Sequence, residues 1–153
     1  MHPRIHAEAQ PDKPAIVMAR TGETITYAEL ERRANRGAHA LRRMGLVNGD
    51  AVAIACDNRL EFFDVYWAAQ RAGLILVLLS ARLKTDEIAY IVNDCEARTL
   101  IGDVRFAPLM EQTAARSPGV AISLSLGGTI PGFAPYDAAL APHALHGIRI
   151  IDR

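Results

Sequence analysis

Lysine is nearly missing from this chain: Lys13 and Lys84 are the only two, and the other basic residues are arginines. Seventeen basic residues balance 17 acidic ones, the formal net charge is zero, and no basic block stands out. A nucleic-acid or anionic-membrane surface needs clustered Lys and Arg, so the composition argues against both partners. Cysteine is also scarce. Cys56 and Cys95 lie far apart, with no second Cys or His at ligand spacing, and their apolar surroundings make them reduced core residues of a cytosolic protein. The apolar run from Ala72 to Leu79 falls far short of the ~20 residues a membrane helix needs. Met1 to His6 has no apolar signal core, which gives a cytoplasmic address by default. Neither a Ser-His-Asp pattern nor a Gly-x-Gly-x-x-Gly fingerprint is present.

What is present fits an ordinary globular domain. The chain has 153 residues, 50% hydrophobic and 22% charged, enough to bury a core. Its organising stretch runs from Thr26 to Leu83. Thr26-Tyr27-Ala28-Glu29 predicts a capping box, with the Thr26 hydroxyl taking the amide three residues on and Glu29 reaching back to the Thr26 amide. Behind it Leu30, Ala34, Ala38, Leu41 and Met44 share one helical face, and Gly45 is placed to end the helix in a left-handed cap. Arg32, Arg33, Arg36, Arg42 and Arg43 occupy the remainder and read as a solvated face before they read as a phosphate site. Asn48-Gly49-Asp50 turns the chain into Ala51–Cys56. A helix from about Leu60 to Ala72 and a second apolar strand, Leu74–Leu78, follow. Neither strand alternates with polar residues, so each is expected to be covered on both faces, as in a parallel sheet.

The flanks extend the pattern. Residues 4–10 predict a short helix, and Ala15–Met18 with Thr24-Ile25 a hairpin turned at Thr21-Gly22-Glu23. After Leu83, Thr85 is expected to cap a helix through Ile88, Ile91 and Val92, followed by a strand at Arg98–Ile101. A helix through Leu109 and Met110 then leads to a strand at Val120–Ile122. This alternation predicts an α/β fold: a doubly wound, mainly parallel sheet with flanking helices, an N-terminal hairpin and an irregular C-terminal tail. Residues 1–125 form the α/β subdomain of this reading and 126–153 the loop-rich tail, with a short helix at Tyr136–Leu140. Ile148–Arg153 suits either a strand or a frayed end.

Several groups invite a chemical reading. Asp57, Asn58 and Ser80 follow strands, where open α/β sheets bind ligands, although Asp and Asn also simply favour turns. His2 and His6 have helical metal-ligand spacing without a third ligand; His143 and His146, in a Pro-rich loop, share that weakness. Phe62, Phe63, Tyr66 and Trp67 suit an acyl pocket, but aromatics at helical spacing are more often core. None of these positions is assigned a catalytic, cofactor-binding or metal-binding role.

Taken in order, Ala9, Pro11-Asp12-Lys13-Pro14-Ala15-Ile16, Thr26-Tyr27-Ala28-Glu29-Leu30, Asn35-Arg36, Leu41, Gly45-Leu46, Gly49-Asp50-Ala51-Val52-Ala53-Ile54, Ala72-Gly73 and Arg82-Leu83 carry a resemblance. From residue 9 to about 103 the chain resembles the opening of adenylate-forming acyl-CoA synthetases of the AMP-binding superfamily. The resemblance implies ATP-dependent activation of a carboxylic acid to an acyl-adenylate and transfer to coenzyme A, with magnesium as cofactor. It also implies that the chain is incomplete relative to the family domain. The family's lysine-bearing phosphate loop comes after this region, and Gly127-Gly128-Thr129 resembles that loop only in composition. Leu78 stands where family members usually have proline, although Leu79-Ser80 keeps the pattern that follows. ATP, magnesium and coenzyme A are therefore expected for the full-length family, with none held tightly by this chain. The expected partners are a carboxylic acid by family, and this chain itself or the missing remainder of the enzyme. The alternative function is a non-catalytic interaction module, or a truncated-gene product, that associates through exposed sheet edges.

Overall fold

The computed structural model describes residues 2–141; His143, His146 and the Ile148–Arg153 expectation lie outside them. Helix α1 (Pro3–Ala9) leads into an antiparallel hairpin of β1 (Pro14–Val17) and β2 (Thr24–Thr26). Helix α2 (Tyr27–Arg43) follows at once. Thr26 Oγ1 accepts from the Glu29 amide at 3.3 Å, as expected of a cap. The Glu29 carboxylate does not complete the box: it turns along the helix to Arg32 and Arg33, which offer charge-assisted hydrogen bonds in place of a neutral amide. Gly45 closes the helix end at φ +88°, the left-handed conformation expected there.

Next come β3 (Ala51–Ala55), α3 (Leu60–Arg71), β4 (Ile75–Leu78), α4 (Thr85–Asp94), β5 (Ala97–Asp103), a 3-10 turn (Val104–Phe106), α5 (Ala107–Ala115), β6 (Ile122–Leu126), β7 (Ala134–Pro135) and α6 (Tyr136–Ala139). The parallel sheet has the order β4-β3-β5-β6-β7. The interior strand β3 is buried throughout, and alternate residues serve opposite faces. Val52 and Ile54 pack with Leu41 of α2 and Met44 at its C-terminal cap, Val65 and Ala68 of α3, and Tyr136 of α6. Ala51, Ala53 and Ala55 face Ile88 and Val92 of α4 and Met110 of α5. The doubly wound α/β expectation therefore holds, and the loop after β6 adds Ile130 and Phe133 to the second face.

Three local expectations are corrected. β4 is not covered like β3: it is the sheet edge, with Ile75 57% and Leu78 60% exposed. An apolar run marks a strand without saying whether a neighbour lies beyond it. Lys84, not Thr85, caps α4: the Lys84 amide donates to Glu87 Oε2 at 2.7 Å, while the Thr85 hydroxyl reaches Gln112. The last long strand begins at Ile122, two residues later than placed, because Val120 is spent on the turn from α5, its amide bonding the Ser117 carbonyl.

Candidate functional site

The carboxyl ends of β3 and β5 converge on a charged cluster that encloses the buried carboxylate of Asp103. Its Oδ2 accepts from the Asp57 amide at 3.3 Å and from Arg59 Nη1 at 3.1 Å, and its Oδ1 from the Arg105 amide at 3.0 Å. The Arg59 guanidinium grips Glu61 with its other face, Nε to Oε2 at 3.0 Å and Nη2 to Oε1 at 2.7 Å. Arg105 in turn pairs with Asp57. The third strand end joins from β6: Gly127, at φ +74°, lies under Arg59, and a Cβ there would sit 2.2 Å from Nη1.

These contacts set the local electrostatics. The Asn58 amide, followed by the Arg105 and Arg20 charges, holds Asp57 below the usual carboxylate range. Burial pushes Glu61 upward, but its bonds to Arg59 win and hold it low. Burial, then the neighbouring Asp103 charge, pushes the Cys56 thiol up to about 11, so it is protonated at neutral pH and poorly suited to nucleophilic work.

Beside the cluster, between the hairpin and the start of α3, an open cleft of about 560 Å³ is lined by Ile16, Val17, Met18, Phe62 and Phe63, with Arg20, Asp57 and Asn58 among its polar lining residues. Four of the sequence candidates thus meet in one place: Asp57, Asn58, Phe62 and Phe63. The others do not join them. Ser80 lies past the edge strand, its Oγ accepting from the Arg82 amide at 3.3 Å. Tyr66 and Trp67 continue along α3, with Tyr66 edge-on to Trp67 at 5.0 Å. His2 and His6 are separately engaged. His2 Nδ1 accepts from the Arg4 amide at 3.2 Å and its ring meets Trp67 at 5.2 Å, while His6 lies 4.8 Å from the Tyr27 ring. Among the described residues, no group of three His, Cys, Asp or Glu is arranged to hold a metal ion.

Arg59, Glu61, Asp103 and Arg105 were not singled out from the sequence. A signal existed: Asp57-x-Arg59-x-Glu61 and Asp103-x-Arg105 place alternating charges just past two strands. The cluster does not fit a nucleotide triphosphate or its magnesium ion. Both guanidinium groups are already held by carboxylates, and the Gly128 carbonyl accepts the Ser125 hydroxyl at 2.7 Å across the Gly127-Gly128-Thr129 turn. Chemically the arrangement is a brace that ties the ends of β3 and β5 together, with Gly127 after β6 lying against Arg59, next to an apolar cleft.

The family model described as AMP-binding enzyme matches residues 4–139. The chain is 33% identical over 119 residues to the fatty acid–[acyl-carrier-protein] ligase ScoC of Streptomyces coeruleorubidus, covering 78% of this chain and 22% of that protein. It is 33% identical over 108 residues to a 3-hydroxybenzoate–CoA ligase of Aromatoleum sp. strain CIB, covering 71% of this chain and 20% of the relative. Its fold superimposes on a Mycobacterium tuberculosis fatty acyl CoA synthetase with a TM-score of 0.77 at 27% identity, over 82% of this chain and 26% of that one. The chain spans about a fifth of the length of these curated relatives.

Proposed function

The chain belongs to the AMP-binding enzyme family, and we propose that it supplies the N-terminal portion of an ATP-dependent acyl-CoA synthetase and has no ligase activity alone. In that reading the complete enzyme activates a carboxylic acid as an acyl-adenylate and passes it to coenzyme A in the cytoplasm. ATP, magnesium and coenzyme A would then be held chiefly by parts of the fold outside this chain. The observation that supports this reading is the match over residues 4–139 against about a fifth of each curated relative. The strand-end cluster agrees with it, because its charges are engaged with one another. An oxyanion or phosphoryl stabiliser needs donors aimed at developing charge, and Arg59 and Arg105 are aimed at Asp103, Glu61 and Asp57. The test is pyrophosphate release from ATP with fatty, aryl and short-chain acids; the 153-residue chain should show none, and carboxylate-dependent turnover would overturn the proposal.

The edge strand favours a second reading, a non-catalytic interaction module. Natural sheet edges are commonly protected by charge, proline or a bulge, whereas β4 presents Ile75 and Leu78 to solvent. Light scattering of the purified chain should then show self-association that Ile75→Lys with Leu78→Lys abolishes, and a strictly monomeric parent chain would refute it.

A further inference from the structure

We propose that the outer edge of β4 is a self-complementary surface whose partner is a second copy of this chain, bound antiparallel about a two-fold axis at Val77, so that the pair closes and does not polymerise. The inference rests on the interaction-module reading above and deepens it by fixing the partner, the donors and the stoichiometry. The ladder to β3 decides which groups of β4 are free. The Ile75 amide donates to the Asp50 carbonyl at 3.0 Å and the Leu79 amide to the Ile54 carbonyl at 2.8 Å. In a parallel ladder alternate residues bond the same neighbour, so Ile75, Val77 and Leu79 address β3, and the N–H and C=O of Leu76 and Leu78 point away from the sheet. Among the described residues no strand lies beyond them. Nothing on the strand protects this edge with charge, proline or a bulge: β4 reads Ile-Leu-Val-Leu in unbroken register, with Ile75 57% and Leu78 60% exposed.

The opposite edge of the sheet is built differently. β7 is two residues long, and Pro135 has no N–H to offer. A β4-to-β7 contact, which would repeat without end, therefore lacks a receiving strand, whereas β4 against β4 uses one patch twice and closes. With the axis at Val77, Leu76 of each copy lies opposite Leu78 of the other; both face outward, which gives about four main-chain hydrogen bonds. Leu76 packs with the core on the α2 and α3 side and Val77 with the core on the α4 and α5 side, so both apolar layers continue across the axis. The all-aliphatic strand brings no like charges opposite one another.

The test weighs the purified 153-residue chain by size-exclusion light scattering over a concentration series. A discrete dimer is expected, its mass reaching a plateau. Leu78→Pro removes the outward N–H of each copy without touching a bond to β3, and should weaken the dimer roughly tenfold or more; Leu78→Ile, which keeps that N–H, should stay within about threefold of the parent. Urea unfolding followed by Trp67 fluorescence checks that the proline variant is folded. If it is not, amide hydrogen exchange of the parent chain decides. Exchange at Leu76 and Leu78 should slow roughly tenfold or more from the dilute to the concentrated end of the series, and exchange indifferent to concentration overturns the proposal. Equal dimerisation by a folded Leu78→Pro chain overturns it as well, as does assembly that grows without a mass plateau. Those results leave the interaction-module reading standing where Ile75→Lys with Leu78→Lys still abolishes association, whereas a parent chain monomeric at every concentration refutes both. Pyrophosphate release, which tests the ligase reading, is measured separately and bears on neither.

Discussion

Replacing Asp64 with asparagine should make the protein more stable at neutral pH than at pH 4, relative to the parent chain. Asp64 lies on α3 at 5% exposure, where α2 and α6 close over it. Burial pushes its carboxyl up to about 6; Arg33, with Nη1 3.5 Å from Oδ2, pulls in the opposite direction and loses, while Glu61 and Asp137 add to the rise. Neither Asp64 Oδ1 nor the nearby Tyr136 hydroxyl has a hydrogen-bond partner among the described residues, which is why one 3.5 Å contact cannot compensate the desolvation. Burial also raises the Tyr136 phenol, followed by the Asp64 and Asp137 charges. A carboxyl raised in the folded state binds its proton more tightly there than in the unfolded chain. Its contribution is therefore complete below about pH 4 and is lost as pH rises through about 6. A rise from 3.8 to about 6 corresponds to roughly 3 kcal/mol once Asp64 is ionised in both states. The Asp64→Asn side chain cannot ionise, so this loss disappears. Urea unfolding followed by the fluorescence of Trp67, the single tryptophan, gives both stabilities from pH 4 to 8. The difference curve is the diagnostic, because Glu29, Glu61 and Asp57, all held low, make both chains gain stability with pH. A variant-minus-parent difference growing by about 2–3 kcal/mol between pH 4 and 7.5 is expected; a difference flat to within about 0.5 kcal/mol would refute the reasoning.

Arg59→Met should cost about 3 kcal/mol in urea unfolding, because it withdraws the guanidinium facing the 1%-exposed Asp103; adding Asp103→Asn should restore part of the loss. Cys56, with its thiol at about 11, should react with iodoacetamide at pH 8 about 100-fold more slowly than in the urea-unfolded chain, read by mass spectrometry. Comparable rates would show that the thiol is not shielded as described.

The fold was legible where one physical cause dominates. The 3.6-residue apolar spacing on α2, the positive-φ glycine at its end and the all-apolar β3 specify their own environments, and the structure places them as expected. Legibility failed where a partner distant in the chain decides. Glu29 had two suitors, the Thr26 amide and the arginines one turn on, and a capping motif does not rank them. β4 reads like β3 because both are uninterrupted aliphatic runs; only the strand order separates an interior strand from an edge. The candidate site was half visible. Asp57 and Asn58 could be placed past a strand by rule, but Asp103, which accepts from the Asp57 amide, lies some 46 residues away, and no local pattern says that the ends of β3 and β5 are neighbours.

That same adjacency explains why the charged cluster acts as a brace. Parallel strands have their carboxyl ends on one side, and the loops leaving them must be held in register without cross-strand hydrogen bonds of their own. Asp103 does this with three donors, from the loop after β3 (the Asp57 amide), the cap of α3 (Arg59) and the turn after β5 (the Arg105 amide). Three carboxylates, Asp57, Glu61 and Asp103, engage the guanidinium groups of Arg59 and Arg105, so the charges of the cluster are directed at one another. The cleft beside it shares Asp57 and Arg59 with the cluster but is otherwise walled largely by apolar side chains. The two neighbouring surfaces therefore differ in chemistry: the strand-end cluster is held by ion pairs, while the cleft opens between Val17, Phe62 and Phe63.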